Sequence, residues 1–180
     1  LGRKFQVNPA VLIPRPETEG MLTEILENFK NRKGIRFAEL GLGSGCISIS
    51  LTAEWPDSIG FASEASDQAI EVAKKNAQIH LGSKLNRLNI VSVKDPSIGF
   101  ESLTEYGPFD LVVSNPPYLA PEDEIAVDVI QNEPKSALFP KDQDPNFFYA
   151  NFLEHAQKLM KPHGEAYFEI SHDRAEKLLQ

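Results

Sequence analysis

One cysteine, Cys46, one tryptophan and two methionines occur among 180 residues. A lone thiol excludes an internal disulfide framework. Basic residues are also scarce, with 18 Lys and Arg against 26 Asp and Glu and a net charge of -8. A broad contact with a phosphate backbone needs a basic face, so the charge balance argues against an extended nucleic-acid footprint and leaves a local basic patch open. No run of 18 apolar residues and no secretory h-region is present, so neither a membrane helix nor an export signal is expected. A soluble, reducing, cytoplasmic setting follows. Internal repeats and low-complexity tracts are missing as well. A chain that opens Leu1-Gly2-Arg3 rather than with methionine reads as a piece of something longer.

What is there suffices for one core. At 41% hydrophobic residues, the 180-residue length suits a single domain spanning 1–180, with 1–16 as an extended leading segment. Phe5-Gln6-Val7 and Ala10 to Ile13 are short extended candidates, and Pro14 and Pro16 hold off any helix until Glu17. Met21, Leu22, Ile25, Leu26 and Phe29 then recur at three- and four-residue spacing, which predicts an amphipathic helix to about Lys30.

Beyond it, short apolar strands alternate with helices. Strands are expected at Arg36–Leu40, Ile59–Ser63, Asn89–Val93, Leu111–Val113 and Glu165–Ile170. Helices are expected from Ile47 to a stop at Pro56, over Asp67–His80, near Phe147 to Met160 and from about Arg174. The inner face of the Asp67–His80 helix would carry Ile70, Val72, Ala73, Ala77 and Ile79. This alternation predicts an α/β fold, a doubly wound, mostly parallel sheet with helices on both faces and right-handed crossovers. Ligands of such sheets bind beyond the carboxyl ends of the strands, where the strand order reverses. Gly41 to Gly45, Glu64, Asp95 and Asn115 to Tyr118 each follow a strand and so share that edge.

Each of these segments has its own chemistry. In Glu39-Leu40-Gly41-Leu42-Gly43-Ser44-Gly45 the alternate glycines permit a sharp turn and close approach of a ligand to the backbone. The spacing is Gly-x-Gly-x-Gly, unlike a pyrophosphate loop, and the Glu39 carboxylate would repel phosphate. A cationic or amine-bearing ligand fits better, and S-adenosylmethionine has a sulfonium and an ammonium and no phosphate. Glu64 is placed to accept from the two hydroxyls of a ribose, and Asp95 from an exocyclic adenine amine. Each acid taken alone reads equally well as a helix cap or a solvated turn.

The stretch Ser114-Asn115-Pro116-Pro117-Tyr118 closes the fourth strand. Asn115 offers a side-chain carbonyl and Pro116 a backbone carbonyl whose direction Pro117 restricts. Two acceptors side by side match the two N–H groups of a planar amide or amine, and Tyr118 can stack on or wall in that plane. No general base is evident: His80, His155, His163 and His172 lie away from these loops, and Cys46 reads as a small packing residue.

The glycine loop and Asn-Pro-Pro-Tyr together resemble those of Rossmann-like class I S-adenosylmethionine-dependent methyltransferases that act on planar NH2 groups. Two further stretches, Leu12-Ile13-Pro14-Arg15-Pro16-Glu17-Thr18-Glu19 and Asn132-Glu133-Pro134-Lys135-Ser136-Ala137-Leu138, are similar to signatures of the HemK/PrmC family, the release factor glutamine N5-methyltransferases. The resemblance runs from about Phe5 to Ile170.

It implies that the substrate is the glutamine of the Gly-Gly-Gln motif in peptide chain release factors. It further implies that Glu39, Leu40, Gly41, Leu42 and Gly43, with Gly45, hold the methionine part of S-adenosylmethionine, Glu64 the ribose, and Asp95 and Pro96 the adenine end. Asn115, Pro116, Pro117 and Tyr118 would hold the glutamine, and Asn115 would also border the cofactor. The Arg15 loop would shape the pocket roof, unless Arg15 pairs at the surface with Glu17 or Glu19.

Some features depart from the family. Glu64 stands where aspartate is commoner, and Pro96 where some members carry an aromatic. The family's N-terminal helical domain and last strands are expected to be missing. Glu122, Asp123 and Glu124 read as a solvated turn rather than a lid. Two other functions compete: a DNA or RNA base methyltransferase, which the net charge disfavours, and an inactive cofactor-binding scaffold.

Overall fold

The structure is a computed structural model that describes residues 1–95, 99–120, 123, 125–140 and 145–171, without the side chains of 145–148 and 150. Five strands form one sheet: β1 (Arg36–Leu40), β2 (Ile59–Glu64), β3 (Leu88–Ser92), β4 (Phe109–Ser114) and β5 (Met160–Phe168). Their order is β3-β2-β1-β4-β5, and every pairing is parallel. The order reverses between β1 and β4, which makes a ligand crevice at their carboxyl ends. In register, Leu40 stands beside Ser63 and Ser114, and Ser114 beside Phe168, so those ends finish level.

The two-residue alternation of each strand decides which helices it meets. Phe37 of β1 and Leu111 and Val113 of β4 pack against α1 (Pro16–Asn28) and α2 (Cys46–Glu54), through Leu22, Ile25, Phe29, Ile47 and Leu51. Ala38, Leu40 and Val112 face the other side, against α4 (Gly99–Thr104) and α7 (Pro145–Leu159), through Phe100, Leu103, Phe152, Ala156 and Leu159. Outside β1, α3 (Asp67–Leu81) covers β2 and β3 through Ala73, Ala77 and Leu81. Two short helices, α5 (Val127–Asn132) and α6 (Lys135–Leu138), follow β4.

The expected doubly wound α/β architecture is therefore present, with local differences. Helix α1 starts at Pro16, because a first-turn N–H has no helical partner to lose and proline fits there. Ile79 is 56% exposed and not part of the inner face of α3. Strand β5 begins at Met160, five residues early, because Phe109 pairs with Met160 before a register shift realigns Leu111 with Glu165. The candidates at 5–7 and 10–13 join no strand. That leading segment is strapped onto α3, where Asn76 exchanges hydrogen bonds with both backbone groups of Gln6. A helix from Arg174 and the side chain of His172 lie outside the described residues.

Candidate active site

The glycine loop is built by backbone conformation. Gly41, Gly43 and Gly45 have φ of 75°, 53° and 81°, values that L side chains seldom adopt. The loop is tied to the neighbouring strand, since the amides of Gly41 and Leu42 both donate to Ser63 O at 3.0 and 3.1 Å. The side chains of Leu40 and Leu42 turn into the core on either side of the sheet, so only their backbone borders the crevice.

Gly45 stands at the N-cap of α2 and has no side chain to accept from the first turn. Glu39 fills that need from β1. Its Oε2 accepts from Ser48 N at 3.0 Å and from the Ser48 hydroxyl. The Glu39 carboxyl is 1% exposed, and desolvation raises it from 4.5 to about 8 against the opposing pull of the two Ser48 bonds. Glu39 thus underlies the loop.

Glu64 gathers the same loop from its other side. Its Oε2 accepts from Gly43 N at 2.8 Å, and Oε1 accepts from the amides of Ala65 and Ser66, each at 2.9 Å. A carboxylate has about four acceptor sites, so one remains beside these three bonds. Asp95 lies in the loop after β3; Pro96 is outside the described residues.

The end of β4 carries the most telling atom. Asn115 Nδ2 donates to Thr18 Oγ1 of α1 at 3.2 Å. Asn115 Oδ1 is buried and meets no donor among the described residues. An orphaned buried carbonyl costs roughly 1–3 kcal/mol, which a ligand N–H would relieve. Pro116 is buried, and Pro117 and Tyr118 are half-buried. Burial raises the Tyr118 phenol above its ordinary value, Glu169 adds to the rise and Arg15 opposes it.

Around this point the three motif stretches meet. Arg15 Nη2 donates to Glu133 Oε1 at 2.6 Å, and Ile13 N reaches Glu133 Oε2 at 3.4 Å. Leu119 N donates to Leu138 O at 3.0 Å. Arg15 therefore pairs across the site, where Glu17 or Glu19 were the expected surface alternatives. In the following turn, Asp123 Oδ2 accepts from Ala120 N at 2.7 Å and Asp123 N donates to Ala120 O at 3.1 Å. Glu122 and Glu124 lie outside the described residues.

His80 is occupied with Lys4 O and the Phe5 ring, His155 with Asn151 O and the Phe100 ring, and His163 is exposed in β5. Burial pushes the Cys46 thiol up to about 12, which leaves it an inert packing group at the start of α2.

Five contributors were not foreseen: Thr18, Ser48, Asn76, Glu133 and Glu169. Thr18 and Glu133 sit inside the two signature stretches, which was the available signal. Glu169 directly follows β5, and its backbone N donates to Ser114 O at 3.1 Å. Burial raises its carboxyl above the ordinary value, while a hydrogen bond from Thr18 opposes the rise. Asn76 is fully buried and donates to Ser44 O at 2.9 Å, so it joins the leading segment to the glycine loop.

The crevice is thus rich in acceptors. Glu64 and Asn115 Oδ1 suit a ligand bearing hydroxyl, N–H or cationic groups, and that donor set fits a sulfonium nucleoside better than a phosphate.

The sequence matches the methyltransferase small domain family over residues 21–141. A release factor glutamine methyltransferase of Flavobacterium psychrophilum is 39% identical over 175 residues, covering 94% of this chain and 59% of the relative. One from Bacteroides thetaiotaomicron is 36% identical over 173 residues, with the same coverage of 94% and 59%. The chain thus spans less than two thirds of these relatives. In fold it is similar to precorrin-6y C5,15-methyltransferase of Geobacter metallireducens GS-15, with a TM-score of 0.61 at 15% identity over 93% of this chain and 70% of the other. Among the described residues, no helix is long and apolar enough to cross a membrane.

Proposed function

The chain belongs to the methyltransferase small domain family, and from that premise we propose that residues 1–180 form the catalytic domain of a release factor glutamine N5-methyltransferase that uses S-adenosylmethionine. Its substrate is the side-chain amide of the glutamine in a Gly-Gly-Gln motif, and its partner is the peptide chain release factor that carries it. A cytoplasmic location goes with a substrate that works in translation. The observation that carries this reading is the buried Oδ1 of Asn115 at the end of β4, which meets no donor among the described residues.

When bound, S-adenosylmethionine supplies an electrophilic methyl group on a sulfonium. Gly41, Gly43 and Gly45 present backbone to it, with Glu39 anchoring the loop from beneath. Glu64 uses its remaining acceptor site for the ribose, and Asp95 takes the adenine end. Asn115 Oδ1 and Pro116 O accept the two N–H groups of the substrate amide and hold its plane, while Tyr118 walls in one face.

An amide nitrogen is a weak nucleophile. Transfer of the methyl group to this nitrogen would break the methyl–sulfur bond and leave a neutral thioether; the positive charge developing on nitrogen would strengthen the bonds to Asn115 Oδ1 and Pro116 O, which is stabilisation selective for the transition state, and one N–H proton would then pass to solvent. Orientation of two bound reactants can lower the barrier by about 7–11 kcal/mol, so no strong base is needed at the attack.

The test is transfer of labelled methyl from S-adenosylmethionine to a purified release factor, beside its Gly-Gly-Gln to Gly-Gly-Ala variant and a duplex DNA control. Label on the unaltered factor alone is expected. Label on DNA would move the assignment to base methylation, and binding of the cofactor without transfer to any acceptor would leave a scaffold.

A further inference from the structure

Asn76 is fully buried inside α3, and its amide serves two segments remote in sequence. Its Oδ1 accepts from Gln6 N at 2.8 Å, and its Nδ2 donates to Gln6 O and to Ser44 O, each at 2.9 Å. Both amide hydrogens are thereby used, one on the leading segment and one on the glycine loop. The leading segment is clasped to α3 on either side of Gln6. On one side His80 Nε2 donates to Lys4 O at 2.8 Å and its ring lies against that of Phe5. On the other, Val11 is 1% exposed and packs on Ala69 and Val72.

The bond to Ser44 O bears on the shape of the loop. Ser44 O and Gly45 N belong to one planar peptide unit and point to opposite sides of it. Gly45 N donates to Leu42 O at 2.8 Å across the turn, so the loop itself holds this plane from one side and Asn76 holds it from the other. Gly45, with φ of 81° and no Cβ, offers little steric resistance to rotation of the plane. The bonds to Ser63 and Glu64 secure Gly41, Leu42 and Gly43 instead.

Docking of the leading segment therefore reaches the loop through one side chain. With the segment in place, Asn76 is shut away from water and its bond to Ser44 O forms in a buried site. With the segment released, Asn76 loses two of its three bonds and water competes for the third. Such a coupling runs both ways, so whatever steadies the loop also steadies the segment.

We propose that residues 3–11 are a strap that sets the affinity for cofactor, with Asn76 as the positioning residue that passes docking of the strap to the Ser44–Gly45 peptide plane. That the loop takes S-adenosylmethionine rests on the function proposed above; the link between strap and loop does not.

The experiment follows amide hydrogen exchange in the 15N-labelled chain by nuclear magnetic resonance. Gln6 N–H reports the strap, Gly45 N–H the loop, and the amides of β1, the middle strand, global opening. Two variants loosen the strap. His80→Ala removes a clasp in the last turn of α3, away from the loop. Asn76→Asp, of the same shape, puts an oxygen in place of the NH2 that meets Gln6 O and Ser44 O. In both, Gln6 and Gly45 exchange are expected to quicken together while β1 holds. The Kd for S-adenosylmethionine by calorimetry is expected to weaken at least about 5-fold, the lower end of ordinary coupling between two sites. In the unaltered chain, saturating S-adenosylmethionine should slow Gln6 exchange by a similar factor, and Asn76→Asp should abolish that protection. A strap that only adds stability would leave Gln6 exchange indifferent to cofactor. Quickened Gln6 exchange with either Gly45 exchange or Kd unchanged would overturn the proposal, and so would Gln6 exchange unmoved in both variants. If the unaltered chain binds no S-adenosylmethionine, the cofactor assignment fails and Gly45 exchange in His80→Ala still decides the link.

Discussion

Arg15 and Glu133 lie 118 positions apart in sequence, yet their guanidinium and carboxylate meet at 2.6 Å. The Glu133 side chain is 2% exposed and that of Arg15 28%. The pair fastens the segment before α1 to the segment after α5, over the end of β4. Removing Arg15 would strand a buried carboxylate, the costlier half of such a pair to leave alone. Arg15→Ala is expected to destabilise the chain by about 1.5–3 kcal/mol, the range for hydrogen bonds to charged groups. Urea denaturation checks this, and an Arg15→Met, Glu133→Leu double variant should recover much of the loss.

Asn115→Ala removes the acceptor on which the proposed reaction depends. A fall in kcat of about 10²–10³ is expected, by analogy with losing one charge-stabilising group elsewhere. Calorimetry should find cofactor affinity largely kept. Near-normal turnover in this variant would sink the assignment of Asn115.

The Glu39 carboxyl gives stability a particular pH dependence. Its folded value of about 8 lies above the ordinary 4.5, so the folded state holds a proton that the unfolded chain releases. Its contribution is complete below about 4.5 and is lost as pH rises towards 8, with a slope of at most about 1.4 kcal/mol per pH unit. Glu39→Gln removes that proton from the balance. Measured against the unaltered chain from pH 5 to 8, this variant should gain relative stability steadily; a flat difference would contradict the buried, protonated carboxyl.

Gly45→Ala tests the loop. A Cβ there would meet Ile49 Cδ1 at 2.6 Å, on a backbone with φ of 81°. The left-handed conformation alone costs about 1–2 kcal/mol. A lower Tm and weaker cofactor binding are expected together, because the loop and the start of α2 move as one.

Asn76→Ala would break three hydrogen bonds, two to Gln6 and one to Ser44 O. At about 0.5–1.5 kcal/mol each, a loss of about 2–4 kcal/mol is expected in thermal or urea unfolding. Proteolysis should then open the leading segment before the sheet.

Much of this chain was legible from residues near one another. Apolar alternation and three- and four-residue spacing locate the strands and most helices, because burial of one face is a local pattern. Gly41-Leu42-Gly43-Ser44-Gly45 announces a turn, and Asn115-Pro116-Pro117-Tyr118 announces stiff, paired acceptors, because both follow from the covalent character of glycine and proline. The level strand ends followed from the alternation itself. What tertiary structure alone decided is who partners whom. Nothing in the neighbourhood of Glu39 says that its carboxyl caps α2 in place of the missing Gly45 side chain. Equally, Glu64 gives no local sign that it holds Gly43, or Arg15 that it chooses Glu133 over Glu17. The Asn115 amide finds its hydrogen-bond partner in Thr18, 97 positions away. A hydrogen bond is set by distance and direction in space, and sequence fixes those only for neighbours on one helix, strand or turn.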